Sequence, residues 1–163
     1  MVSPEAPTNT PTTPSTGRIV VGVDGSEPSK QALRWAAFVA STTGSSIDAV
    51  ATWRLNGFTA GPRLMDNPAS FDRSGEVAKM LDETIAEVFA DTPPAALNRV
   101  VQEGNAATVL VEASRDAGML IVGSRGRGGF VGLMLGSVST ACSAHSKCPV
   151  MVIHGDTPAP PAH

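Results

Sequence analysis

The stretch of the chain best suited to chemistry runs from Gly123 to Ser139, GSRGRGGFVGLMLGSVS, and holds six glycines. Gly123, Gly126, Gly128 and Gly129 allow a backbone to adopt positive φ and approach an anion closely, and Gly136-Ser137 stand where a helix would begin. Unpaired amides at such a helix start point at a phosphate. Ser137 and Ser139 would add hydroxyl donors, and Arg125 and Arg127 positive charge. A glycine-rich loop also serves plain turn geometry, so position matters more than composition. This one follows an apolar run and precedes a helical stretch, as phosphate loops of open α/β sheets do. No Gly-Lys-Ser/Thr follows, which excludes a Walker A loop. The dinucleotide fingerprint is also absent, since the first strand ends in VGVDGSEPS.

The elements that must position this loop alternate short β-branched runs with stretches of helical period from residue 18 to residue 154. Arg18–Asp24 reads as a first strand, continuously apolar and therefore central and buried on both faces. Gly25, Ser26 and Pro28 then supply a turn, an N-cap and a first-turn proline for a helix ending at Thr43 before Gly44. Ile47–Trp53 is a second strand, and residues 55–70 carry the Gly, Pro and Asn of a long loop. Val77, Met80, Leu81, Thr84, Ile85, Val88 and Phe89 share one face of a helix that stops before Pro93-Pro94. Leu97–Glu103, a Gly104-Asn105 turn, a short helix over Ala106–Arg115 and a fourth strand at Met119–Ser124 follow. A last helix over Leu135–Ser146 and a fifth strand, opened by Pro149 and ending at Ile153, close the series. Five strands and four helices in this alternation predict one doubly wound α/β domain with a parallel sheet, Rossmann-like, whose ligand would lie beyond the carboxyl ends of the strands.

The totals exclude several functions. The net charge is −3 with no basic stripe, so DNA and RNA are not expected partners. No apolar run reaches the roughly 20 residues of a membrane span, and MVSPEAP has no signal-peptide character. Cys142 and Cys148 are the only cysteines and fit no zinc spacing, so reduced thiols in a cytoplasmic protein are expected. Residues 1–17 and 155–163 are rich in Pro, Thr, Ser or Ala and read as unstructured tails flanking the 18–154 domain. His145, His154 and His163 are too dispersed for a metal site, and no metal-ligating residues are assigned. Trp35 falls on an apolar helix face and reads as packing; Trp53 could pack or stack on a base.

Gly123 and Gly126, then nine residues from Arg127 to Leu135, then Gly136-Ser137 make up G-x2-G-x9-G-[ST], and in this the chain resembles the nucleotide-binding members of the universal stress protein family. The resemblance extends to VVGVDGS at Val20–Ser26, to the Thr52-Trp53 strand end, to Gly104-Asn105 and to SKCPVMVI at Ser146–Ile153. It implies strand order 3-2-1-4-5 and a pocket for ATP, with Mg2+ or Mn2+, at the ends of strands one and four. Carried onto these residues, Asp24, Gly25 and Ser26 would meet the ribose or the metal-phosphate region, and the backbone near Ala51 the adenine. Gly123 would lie by the ribose and Gly126 and Gly136 by the phosphates, with Ser137, Val138 and Ser139 as donors and Arg125 as nearby charge. It also implies a homodimer through Val150, Met151, Val152 and Ile153. Asp24 alone would equally suit a capping turn, and both arginines would equally suit a solvated surface.

The resemblance makes the leading expectation an ATP-binding regulatory module of the stress response, acting by population shift rather than turnover. Weak ATP hydrolysis or phosphoryl transfer, a cyclic AMP ligand, and a nucleotide-free dimeric scaffold are the alternatives; no general base stands out for the first of them.

Overall fold

The computed structural model describes residues 17–54, 73–127, 132 and 134–162. The 55–70 loop, Gly128, Gly129, His163 and all of the N-terminal tail but Gly17 lie outside them.

Strands β1 (Arg18–Gly22), β2 (Ser46–Trp53), β3 (Leu97–Glu103), β4 (Met119–Gly123) and β5 (Val150–Ile153) form one sheet in the order β3-β2-β1-β4-β5. Every pairing is parallel. Helices α1 (Glu27–Thr43), α2 (Arg73–Phe89), α3 (Ala106–Ala113) and α4 (Ser137–His145) supply the crossovers. The expected architecture and strand order are therefore the observed ones.

The sheet is buried on both faces because β1 and β4 carry apolar residues without alternation. Ile19, Val21, Ala49, Ala51 and Ile121 pack with Leu33 and Ala36 of α1 and Leu81 and Ile85 of α2. Val20, Val50, Leu120 and Val122 turn to the other side, against Val109 and Leu110 of α3 and Cys142 of α4. Three layers result, and the strand order reverses between β1 and β4.

Several boundaries differ from the sequence reading; β1 stops at Gly22 rather than Asp24 and β4 at Gly123 rather than Ser124. The last helix begins at Ser137 rather than Leu135, because Gly136 is extended (φ −75°, ψ 169°) and serves as its N-cap. α3 ends at Ala113 and tightens into a 3₁₀ turn over Ser114–Asp116. Pro149 stands just ahead of β5, where its carbonyl still accepts from Leu120 N at 2.9 Å.

At the amino-terminal pole of the sheet, Arg18 joins three elements. Its guanidinium pairs with Asp48 Oδ2 at 2.9 Å and donates to the Ala113 carbonyl at 2.8 Å. That carbonyl ends α3, where a cation is favoured. Asn98 Nδ2 donates to the other Asp48 oxygen at 2.9 Å, so β1, β2, β3 and α3 are tied together away from the strands' carboxyl ends.

Residues 155–162, read from sequence as an unstructured tail, fold back on α1: Trp35 Nε1 donates to the Pro158 carbonyl at 3.1 Å. Trp35 is thus half-buried at the margin of the apolar face rather than wholly a core residue.

Candidate functional site

A cleft of about 520 Å3 opens at the carboxyl ends of β1 and β4, within the size range of small-molecule sites. One wall is apolar, built by Val50, Leu110, Val122 and Val138. The facing wall is the β1–α1 turn, and the rim is the glycine-rich segment with Arg125 and Arg127. A further hollow of about 490 Å3 shares Thr52, Ala106, Ser137 and Val138 with this cleft and reaches Arg54 and Arg73.

Asp24 organises the turn. Its Oδ1 accepts from Ser26 N at 3.0 Å and from the Ser26 hydroxyl, and its Oδ2 accepts from Arg127 N at 3.1 Å. One carboxylate therefore ties the β1–α1 turn to the glycine-rich segment across 103 residues of chain. Gly25 takes φ 78°, and the Arg127 guanidinium lies so close that a Cβ on Gly25 would sit 2.8 Å from it. Ser26 then caps α1 by accepting from Ser29 N at 3.4 Å.

The three glycines of the motif have different reasons to be glycine. A Cβ on Gly123 would lie 2.7 Å from Pro28 Cβ and 3.0 Å from its carbonyl carbon, so strand β4 and α1 could not approach as they do. A Cβ on Gly126 would run into Asp24 Oδ2. Gly136 differs: its φ of −75° suits any residue, and a Cβ would meet nothing nearer than 3.5 Å. The fold does not require glycine there. What its missing side chain leaves open is the space in front of α4.

That helix start is the other distinctive feature. Ser26 caps α1 and Asn105 caps α3, but among the described residues no side chain caps α4. Gly136 N bonds to the Ser124 carbonyl at 2.6 Å, and the Ser139 hydroxyl donates to that same carbonyl at 2.8 Å, which pins the first turn in place. The amides of Ser137, Val138 and Ser139 have no carbonyl one turn earlier to bond, and all three residues line the cleft. Fixed donors at the positive end of a helix make an anion site beside an apolar wall. A flat aromatic heterocycle against the wall with a phosphate at α4 would satisfy both.

Of the residues named from sequence, Asp24, Ser26, Gly123, Arg125, Gly126, Gly136, Ser137, Val138 and Ser139 all line the cleft. Gly25 supports it through its conformation. Ala51, whose nearby backbone the resemblance sets at the adenine, has its side chain buried in the α1–α2 core, while its neighbours Val50 and Thr52 line the cleft. Sequence reasoning missed Val50, Thr52, Ala106 and Leu110, along with Met80, which projects from α2. Their apolar or small side chains look like ordinary core residues, and no signal in the sequence of β2 singles out Val50 and Thr52.

The thiols stand apart from this chemistry. Burial pushes Cys142 up to about 11, and Cys148 is raised by burial as well, against a partial lowering by Arg18. Among the described residues no group of three His, Cys, Asp or Glu could hold a metal ion, and no helix is long and apolar enough to cross a membrane.

Comparison with known proteins places these features in context. The model of the universal stress protein family matches residues 16–154. A universal stress protein of Mycobacterium tuberculosis (strain ATCC 25618 / H37Rv) is 36% identical over 152 residues, covering 93% of this chain and 47% of that protein. The chain spans about half the length of the curated relatives it matches. A universal stress protein crystallised in complex with cAMP shares the fold at a TM-score of 0.63 and 22% identity, over 86% of this chain and 98% of that one. The universal stress protein from Archaeoglobus fulgidus in complex with dAMP does so at 0.54 and 18%, over 86% and 99%.

Proposed function

Because the chain belongs to the universal stress protein family, matched over residues 16–154, we propose that its cleft binds an adenine nucleotide, ATP with Mg2+ or Mn2+ in the first instance, and that the protein is a nucleotide-dependent regulatory module of the stress response. The observation that carries this reading is the uncapped start of α4 beside an apolar wall, with Gly136 keeping the approach open. Two structural neighbours were solved with adenine mononucleotides, cAMP and dAMP, which supports a nucleotide of this class.

In this reading the base lies against Val50, Leu110 and Val138, and a phosphate takes the amides of Ser137, Val138 and Ser139. Arg125 and Arg127 at the rim contribute positive charge, which screening by solvent keeps modest. The residues fit a divalent ion only in part: among the described residues Asp24 is the one carboxylate lining the cleft, and both its oxygens already accept hydrogen bonds. The ion would therefore travel with the phosphates and add its charge there. Asp24 devotes three accepted hydrogen bonds to holding the turn, a structural role that supports binding over turnover. The chain acts in the cytoplasm as a homodimer through Val150, Met151, Val152 and Ile153.

The test is to release and identify the small molecule carried by purified protein, by denaturation and mass spectrometry. ATP in the native chain, or its uptake on addition, supports the reading. Uptake of cyclic AMP alone would replace ATP with the cyclic nucleotide. A chain that ignores both would leave a dimeric scaffold and sink the proposal.

A further inference from the structure

Proline-rich chain has unpaired carbonyls and few N–H groups, so it is recognised by donors such as an indole N–H set among apolar side chains. The face of α1 that carries Pro28, Trp35 and Phe38 offers that combination, at spacings of seven and three residues that keep them on one side of the helix. Trp35 and Phe38 meet edge to face, with centroids 5.7 Å apart at 75°, which fixes the plane of the indole.

The segment GDTPAPPA at residues 155–162 follows this face. Gly155 starts against Pro28: a Cβ on it would lie 3.4 Å from Pro28 Cγ. Three residues later the Pro158 carbonyl receives the Trp35 indole N–H at 3.1 Å. A turn over His154–Thr157, closed by Thr157 N donating to the His154 carbonyl at 3.0 Å, brings the chain onto this face, and the proline-rich stretch starts beyond it. Burial agrees with that geometry. Thr157 and Pro160 are half-buried while their neighbours from 154 to 162 are exposed, a period of three, which is one face of a polyproline II helix.

We propose that the Pro28–Trp35–Phe38 face of α1 is a docking groove for a polyproline-type segment, and that the chain's own residues 155–162 are its occupant. The groove adjoins the cleft through Pro28, whose ring lies between Gly123 of β4 and Gly155 at the root of the segment. The docked segment therefore rests on a residue that also fixes the end of β4.

Nuclear magnetic resonance on the full chain tests this. The native protein should show an Ala159 amide as restrained as those of α1, and a Trp35 indole N–H that exchanges several-fold more slowly than in a full-length Pro158→Gly/Pro160→Gly variant, whose segment is entropically released. A peptide of residues 155–163 titrated into that variant should return the Trp35 indole resonance toward its native position. Trp35→Phe, which keeps an aromatic ring and deletes the donor, should loosen Ala159 without altering the amide spectrum of the sheet. A freely mobile Ala159 in the native chain, or a Trp35 resonance indifferent to both the glycine substitutions and the peptide, would overturn the proposal.

Discussion

Gly136→Asp should strengthen the fold and weaken the ligand site at once, and that opposition is what separates a ligand-driven glycine from a structural one. Gly136 is the N-cap of α4, its φ of −75° is open to any residue, and a Cβ would lie no nearer than 3.5 Å to its surroundings. An aspartate placed there can accept from the amides two or three residues on, those of Val138 and Ser139. Relative to glycine such a cap gains a few tenths of a kcal/mol. Its charge at the helix start adds about 0.3–1 kcal/mol. A net gain of about 0.5–1 kcal/mol should raise the urea midpoint by about 0.25–0.5 M at a slope of about 2 kcal/mol/M. The same carboxylate occupies two of the donors assigned to phosphate. Losing two charge-assisted bonds at about 1.5–3 kcal/mol each removes about 3–6 kcal/mol of binding. At about 1.4 kcal/mol per decade, Kd for ATP should rise about 10²- to 10⁴-fold. Urea denaturation and isothermal calorimetry on the same preparation read both quantities. A variant that binds ATP like the native chain, or one that loses stability together with affinity, refutes the assignment of the α4 amides.

Gly126→Ala drives a Cβ into Asp24 Oδ2 and should cost about 1–3 kcal/mol by breaking the bond to Arg127 N. Combined with Asp24→Ala the loss should be smaller than the sum of the two, a coupling that a denaturation double-mutant cycle measures. Cys142 titrates at about 11 in the fold against an ordinary 9.0. Burial thus favours its neutral thiol, so the associated stability is whole below pH 9 and falls away between pH 9 and 11. Denaturation across that window should show the fall in the native chain and a smaller one in Cys142→Ala. In β5, Pro149 and Ile153 carbonyls accept from Leu120 and Ser124 at 2.9 and 2.7 Å, so strand alternation turns the amides of Val150 and Val152 outward. Val152→Pro deletes an outward donor without touching the ladder to β4. Sedimentation should show a dimer reduced to monomer, and an unchanged dimer would remove β5 as its interface.

The fold was largely legible because its signals are local: apolar runs, capping residues and the periodicity of α2. The start of α4 was misplaced by two residues because Leu135 continues the apolar pattern, whereas the extended backbone of Gly136 decides where the helix can begin. The glycine motif and Asp24 were readable as a site, though not their division of labour, since only proximity to Pro28 and to Asp24 Oδ2 tells Gly123 and Gly126 from Gly136. That the side chains of Val50 and Thr52, and not that of Ala51, line the cleft was not legible, for a definite reason. A central strand buried on both faces carries no alternation, so its sequence does not say which residues face the α3–α4 layer. Leu110 and Met80 reach the cleft from distant elements and look like any core residue. The bond from Trp35 to the Pro158 carbonyl was hidden because composition counts the area a segment buries by itself and not the partners it meets elsewhere.

Parallel strands must find one another across long stretches of chain, and contacts reward them only after those loops have closed. Alignment errors are therefore the natural mistakes of such a sheet, and smooth apolar strands such as β1 do little to penalise them. Arg18 acts as a registration mark. A slip of β2 by one residue against β1 would carry Asp48 to the opposite face, out of reach of the guanidinium and of Asn98. Misaligned chains are thus rejected at the pole farthest from the cleft, and the residues around Gly136 are relieved of any part in that selection.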